Sequence, residues 1–147
     1  MQHTKKVTAI IVAQGILPLY FNADETVSVE VMRTIYKAGI KALEYTNRGE
    51  AALKNFTKMV QVKNHEMPDL LLGVGTIKNM KQAEDYLAVG ADFLVGPGFV
   101  PEVAEYTVNR DIFYSPGCMT PTEIIAAENA GITFIKLFPA ICWGPNF

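Results

Sequence analysis

Short apolar runs recur along the chain at Ile16 to Phe21, Lys41 to Thr46, Leu70 to Thr76, Phe93 to Val95, Ile112 to Ser115 and Thr133 to Phe138, their starts 19 to 29 residues apart. Between them apolar residues fall at helical spacing, as at Val29, Met32, Ile35 and Tyr36, and again at Met80, Ala83, Tyr86 and Leu87. Strand-like runs alternating with helical ones predict repeated βα units around a parallel sheet. The helix punctuation agrees. Thr120-Pro121-Thr122-Glu123 reads as a capping box with proline in the first helical position, and Asn79 with Gln82 repeats the logic more weakly. Gly39, Gly90 and Gly131 stand where helices should stop.

Those stops reveal an internal repeat. Ala38-Gly39-Ile40-Lys41-Ala42-Leu43-Glu44 aligns without gaps on Ala130-Gly131-Ile132-Thr133-Phe134-Ile135-Lys136, and Val89 to Val95 is a looser third copy. The last position of the unit is Glu44, Val95 or Lys136, so two of three copies put a charge in a strand that otherwise reads as buried. A helix over about residues 4 to 14 and six such units predict an α/β fold, a (β/α)8 TIM barrel read from its start. A doubly wound sheet fits the alternation too, but no Gly-x-Gly-x-x-Gly follows the first strand. A closed eight-unit barrel takes upward of ~200 residues, so residues 1–147 are expected to form a single barrel domain truncated at its C-terminus.

Composition narrows the function classes. Half of the 147 residues are hydrophobic, 19% are charged, and the net charge is -2. Disorder is excluded, and a nucleic-acid partner would call for a basic surplus. Cys118 and Cys142 form no disulfide framework and lack metal-ligand spacing with His3 or His65, which reads as two reduced thiols. Lys5-Lys6 and the apolar stretch Val7 to Ala13 imitate a signal peptide, but no small-residue cleavage site follows and the stretch is far short of the ~20 residues that span a bilayer. The expectation is a cytoplasmic protein with no membrane partner.

Alternation puts Phe134, Lys136 and Phe138 on one strand face. A lysine desolvated among phenylalanines is a candidate amine nucleophile towards carbonyls; a lysine snorkelling from a strand end fits the same local sequence. Glu44 occupies the matching place in its own repeat and shares a side with Ala42, Thr46 and Arg48. It suits proton transfer, or a plain ion pair with Arg48 or Lys136. Arg48 stands where a strand gives way to a loop, with a planar fork that fits a carboxylate and equally the place of an exposed loop arginine. Thr76 closes Leu72-Gly73-Val74-Gly75-Thr76, where two glycines let something approach the backbone. Gly96-Pro97-Gly98 and Pro116-Gly117 close the next two strands. Glu44, Arg48, Thr76, Pro97, Gly117 and Lys136 thus fall at or just past predicted strand C-termini, the rim that carries the site in a (β/α)8 barrel.

On Gly39 to Arg48, Gly73-Val74-Gly75-Thr76, Gly96-Pro97-Gly98, Pro116-Gly117 and Phe134-Ile135-Lys136-Leu137-Phe138-Pro139, taken in order, the chain resembles the 2-keto-3-deoxy-6-phosphogluconate (KDPG) aldolases, including members that also cleave 4-hydroxy-2-oxoglutarate (KHG). The resemblance implies a class I aldehyde-lyase or oxo-acid-lyase of carbohydrate metabolism (the Entner-Doudoroff route), a homotrimer of barrels that uses neither metal nor cofactor. It implies Lys136 as the Schiff-base lysine, Glu44 as general acid and base, and Arg48 with Thr76 around the carboxylate of a pyruvate moiety. Pro97 and Phe138 complete the substrate-binding set, Phe138 beside the imine. Two departures stand out. After Pro139 the chain runs Ala140-Ile141-Cys142-Trp143-Gly144 rather than into the family's usual small and acidic residues. The glycine-rich phosphate loop that the family places after its seventh strand has no counterpart in this sequence. Two alternatives accompany the aldolase expectation: a phosphate-binding barrel isomerase with Glu44 as base, and an inactive barrel fragment serving as an oligomeric scaffold.

Overall fold

A computed structural model describes residues 2–143; Gly144, the last residue of the divergent segment, lies outside them. The chain opens with helix α1 (Gln2–Gln14) and then alternates β1 (Leu19–Tyr20), α2 (Glu25–Lys37), β2 (Ala42–Thr46), α3 (Ala52–Glu66), β3 (Leu71–Gly75), α4 (Met80–Ala88), β4 (Phe93–Val95), α5 (Pro101–Val108) and β5 (Phe113–Ser115). Strand β6 (Gly117–Cys118), helix α6 (Pro121–Asn129), strand β7 (Lys136–Leu137) and a 3-10 turn at Ala140–Trp143 follow.

Strands β1 to β5 form one parallel sheet in sequential order, and β6 pairs in parallel with β7. The order never reverses, so the sheet lacks the switch point of a doubly wound fold. The fifth strand ends at Ser115, as the run Ile112 to Ser115 and the Pro116-Gly117 that closes it predict, and the chain passes into β6 beyond the proline. Pro116 has no N–H to donate to a ladder, and its carbonyl instead accepts the Lys136 amide at 2.9 Å. The strand therefore changes partners there: Val95 pairs with Ser115 before the proline, and Gly117 pairs with Lys136 after it.

Helix boundaries follow the side chains expected to set them. The Thr120 box closes from both sides, with the Glu123 amide donating to the Thr120 hydroxyl and the Glu123 carboxylate accepting the Thr120 amide. Asn79 caps α4 through the Gln82 amide, but the Gln82 side chain accepts from Lys78 rather than from the cap itself. Asp24 caps α2 at the Val27 amide. Gly39, Gly90 and Gly131 all adopt positive φ at the helix stops.

The strands separate two apolar layers. Leu43, Tyr45, Leu72, Val74, Leu94 and Tyr114 face α2 to α5 in the larger cluster. Ala42, Leu71, Phe93, Val95 and Phe113 face the other way and meet Val7 and Ile11 of α1. Helix α1 is thus packed under the inner face instead of in the outer layer. It is held at both ends. The Asp111 carboxylate accepts the His3 and Thr4 amides, and the Gln14 side chain bonds the main chain at Lys41, Ala42 and Ile16. No helix among the described residues is long and apolar enough to cross a membrane.

Candidate active site

On β2 the period of two turns Ala42 and Glu44 inward while Leu43 and Tyr45 pack against helices. In the segment that leads into β7, Phe134 joins the inner cluster and Ile135 packs on the outer one, which leaves Lys136, the first residue of the strand, inward. Both charged positions of the sequence repeat therefore reach one cavity of about 370 Å³, and Val95, the third copy's residue, lines it as well. Its floor is aromatic: Phe113 and Phe134 line it with ring centroids 5.5 Å apart, and Phe113 rests in turn on Phe93 behind it at 5.9 Å. Ile11, Val12, Ile16, Leu17 and Leu19 form the wall on the α1 side.

Glu44 is 3% exposed, yet its carboxylate takes part in no hydrogen bond or ion pair among the described residues. Burial raises its pKa above the ordinary value near 4.5, while the charges of Lys136 and Arg48 oppose that rise. The seat of this carboxylate is cut into β3. A Cβ built on Gly75 would overlap Glu44 Oε1, and one built on Gly73 would overlap the Phe93 ring. The two glycines thus admit the Glu44 side chain from one neighbouring strand and an aromatic ring from the other. A residue of any other type at either position would push these groups out.

Lys136 is half-buried, with its ammonium 4.9 Å from the centroid of the Phe138 ring, in the range of a cation–π contact. Phe138 is itself 39% exposed. Arg48 is an exposed residue of the loop after β2, close enough to Glu44 to act on its ionisation but engaged by no side-chain bond among the described residues. That loop is tied to its neighbours, since the Asn47 amide donates to Gly75 and the Asn47 side chain accepts from the Tyr86 hydroxyl. Thr76 shares strand parity with the helix-facing Leu72 and Val74, but its φ of 66° ends the extended run, so alternation no longer fixes its side. A β-branched residue in the left-handed region is strained, and such strain concentrates at functional sites. Pro97 is half-buried in the loop after β4, its carbonyl so close to Gly117 that no side chain fits at that glycine. The structure brings Glu44 and Lys136 together in the cavity. It leaves Arg48, Thr76 and Pro97 on the loops of the same rim, outside the cavity lining.

Ser115 was not among the residues singled out from sequence. It lines the cavity from β5, between Val95 and the strand of Lys136. Its parity with Phe113 in the run Ile112 to Ser115 is the signal that points to it.

The family model for KDPG and KHG aldolase matches residues 7–145. A 2-dehydro-3-deoxy-phosphogluconate aldolase of Treponema pallidum is 35% identical over 113 residues, 77% of this chain and 52% of that protein. A crystallised 4-hydroxy-2-oxoglutarate/2-dehydro-3-deoxyphosphogluconate aldolase superposes with a TM-score of 0.78 at 36% identity, over 90% of this chain and 63% of its own. The KDPG aldolase of Legionella pneumophila, solved with pyruvate captured at low pH as a covalent carbinolamine, gives a TM-score of 0.78 at 27% identity, over 87% of this chain and 60% of that one. The chain spans about half the length of the curated relatives it matches.

Proposed function

Because the chain belongs to the KDPG and KHG aldolase family, we propose that it is a class I aldolase that makes and breaks 2-oxo-4-hydroxy acids through an imine on Lys136. The proposed substrates are KDPG, split to pyruvate and glyceraldehyde 3-phosphate, and 4-hydroxy-2-oxoglutarate, split to pyruvate and glyoxylate. The observation that carries this reading is the shared cavity of Glu44 and Lys136 over an aromatic floor, with the Glu44 carboxylate held by no hydrogen bond or ion pair among the described residues.

The neutral Lys136 amine adds to the C2 carbonyl and forms a carbinolamine. The protonated Glu44 carboxyl gives its proton to the departing C2 hydroxyl, so water leaves and the imine forms. Glu44, now a carboxylate, takes the C4 hydroxyl proton through a water. The C3–C4 electron pair flows into the protonated imine, which releases the aldehyde and leaves an enamine instead of a bare carbanion. Glu44 returns its proton to C3, and hydrolysis frees pyruvate and Lys136. A carboxyl with a raised pKa serves both directions, because its two protonation states lie closer in free energy near neutral pH. Arg48, with Thr76, is assigned to the pyruvate carboxylate. Phe138 shields the face of Lys136, and Pro97 belongs to the rim that borders the substrate.

The architecture we infer is the (β/α)8 barrel, with these residues supplying its first helix and six of its units as one domain; sequential all-parallel order supports it. A cytoplasmic homotrimer is the assembly proposed with it.

Borohydride reduction with pyruvate present, read by intact mass and peptide mapping, tests the reaction. A reduced pyruvyl group on Lys136, lost in Lys136→Ala, is the expected outcome. A folded sample that turns over without any adduct would favour the isomerase with Glu44 as base, and a folded sample with neither would favour the scaffold.

A further inference from the structure

Among the described residues, seven buried side chains are polar or charged: Ser28, Glu44, Thr46, Asn55, Lys63, Thr107 and Ser115. Five are satisfied within the protein. Ser28 donates to the carbonyls of Asn22 and Asp24, Thr46 to Tyr20, Asn55 to Asn22 and Ala23, and Thr107 to Val103 and Ala104. Lys63 pairs with Asp92 at 2.8 Å. The two exceptions are Glu44 and Ser115, which have no side-chain partner, and both line the cavity of Lys136. No side-chain nitrogen or oxygen among the described residues is both sealed from solvent and unpaired, so these two groups open onto the cavity, where a ligand can supply the partner that the fold does not.

The main chain fixes where that hydroxyl stands. The Ser115 carbonyl accepts the Gly96 amide at 3.0 Å, and the next carbonyl, that of Pro116, accepts the amide of Lys136 at 2.9 Å. Ser115 therefore projects from the strand that Lys136 pairs with, two residues before Gly117, the partner of Lys136. An offset of two residues is about 6.6 Å along a strand, which sets Ser115 one layer deeper than Lys136 on the same face. Arg48 and Thr76, assigned to the carboxylate, stand across the mouth at the ends of β2 and β3. Of the oxygens on a bound 2-oxo acid, the one on C2 then lies towards β5.

We propose that Ser115 is a further substrate-binding residue, whose hydroxyl donates a hydrogen bond to the C2 oxygen of the 2-oxo acid and, after addition of Lys136, to the carbinolamine hydroxyl. This rests on the reading of Lys136 as the amine that captures the 2-oxo group. It gives the site a means of preferring acids oxygenated at C2, since an acid without that oxygen leaves the hydroxyl buried and unpaired.

Lactate and propionate test it without any chemistry at Lys136, because they differ only in the C2 oxygen. Titration of the folded protein by NMR should find lactate, in at least one enantiomer, about three- to tenfold tighter than propionate. Ser115→Ala should abolish that ratio and Ser115→Thr should keep it. The ligand-free Ser115→Ala protein should melt no lower than the parent, because the Ser115 hydroxyl has no partner among the described residues. An unchanged ratio in Ser115→Ala would overturn the proposal, as would a lowered melting temperature, which would mark the hydroxyl as a structural group. Pyruvate trapping on the same samples separates the two readings. An adduct on Lys136 with an unchanged ratio removes the role of Ser115 alone, whereas no adduct in the parent removes the imine and this role with it.

Discussion

Gly75 shows how much a single missing methyl group can decide. Its Cβ position is occupied by the carboxyl of Glu44, so the acid lies over the end of β3 and not out in solvent. Gly75 has an ordinary extended backbone, which alanine can adopt; what alanine cannot do is share that space. Gly75→Ala is expected to destabilise the fold by about 1–3 kcal/mol through overpacking and to slow pyruvate trapping on Lys136 by one to two orders of magnitude, about what a misplaced general acid costs. The double variant with Glu44→Gln checks the route. If Gly75 acts through Glu44, the double variant traps no more slowly than Glu44→Gln alone, and additive losses would show a separate effect.

At the scale of elements, α1 is the piece that does not behave like the other helices. It lies beneath the inner face and presents Val7 and Ile11 to Ala42, Leu71, Phe93 and Phe113. One residue, Gln14, joins its C-terminal end to the start of β2. Its carbonyl oxygen accepts the Lys41 and Ala42 amides at 2.6 and 3.0 Å, and its amide donates to the carbonyls of Ala42 and Ile16 at 2.9 and 2.7 Å. Removing it strands four main-chain groups, some of them at a buried strand. Gln14→Ala is therefore expected to cost about 2–3 kcal/mol in chemical denaturation, more than an exposed helical glutamine would. Hydrogen exchange should show the loss at β2 as well as in α1. Loss confined to α1 would contradict the clamp.

The charge buried on Glu44 acts on the stability of the whole molecule. Its folded-state pKa is raised, first by burial, above the ordinary value near 4.5. Between those two values the folded protein keeps a proton that the unfolded chain has released, so this group's contribution falls as pH rises through the window. Below the unfolded value the contribution is fully present; above the folded value it is lost. Glu44→Gln has no such limb. Its melting temperature should match the parent's in acid and exceed it increasingly as the pH climbs past about 4.5. Parallel curves for the two proteins would mean that the carboxyl is not held in the low-dielectric setting described here.

Alternation of apolar runs was enough to place six strand regions and the helices between them, because the period of two and the period of 3.6 are local properties of the chain. Caps at Thr120 and Asn79 and stops at Gly39, Gly90 and Gly131 were legible for the same reason: each is settled by bonds within a turn or two. That Glu44 and Lys136 face one cavity was legible as well, since a repeat places equal positions on equal faces. What lies further apart in sequence was not. Pro116 is visible as a strand breaker, but that its carbonyl hands the strand over to Lys136 depends on a neighbour 20 residues away. Gly73 and Gly75 read as sites of close approach, while the groups that approach, Phe93 and the Glu44 carboxyl, come from the adjacent strands. Ser115 passes for an ordinary strand residue until every other buried hydroxyl is seen to have a partner. Sequence determined the elements and the inward charges through short-range periodicity; register and packing between strands decided which side chains share the cavity, because those contacts exist only once distant segments are brought side by side.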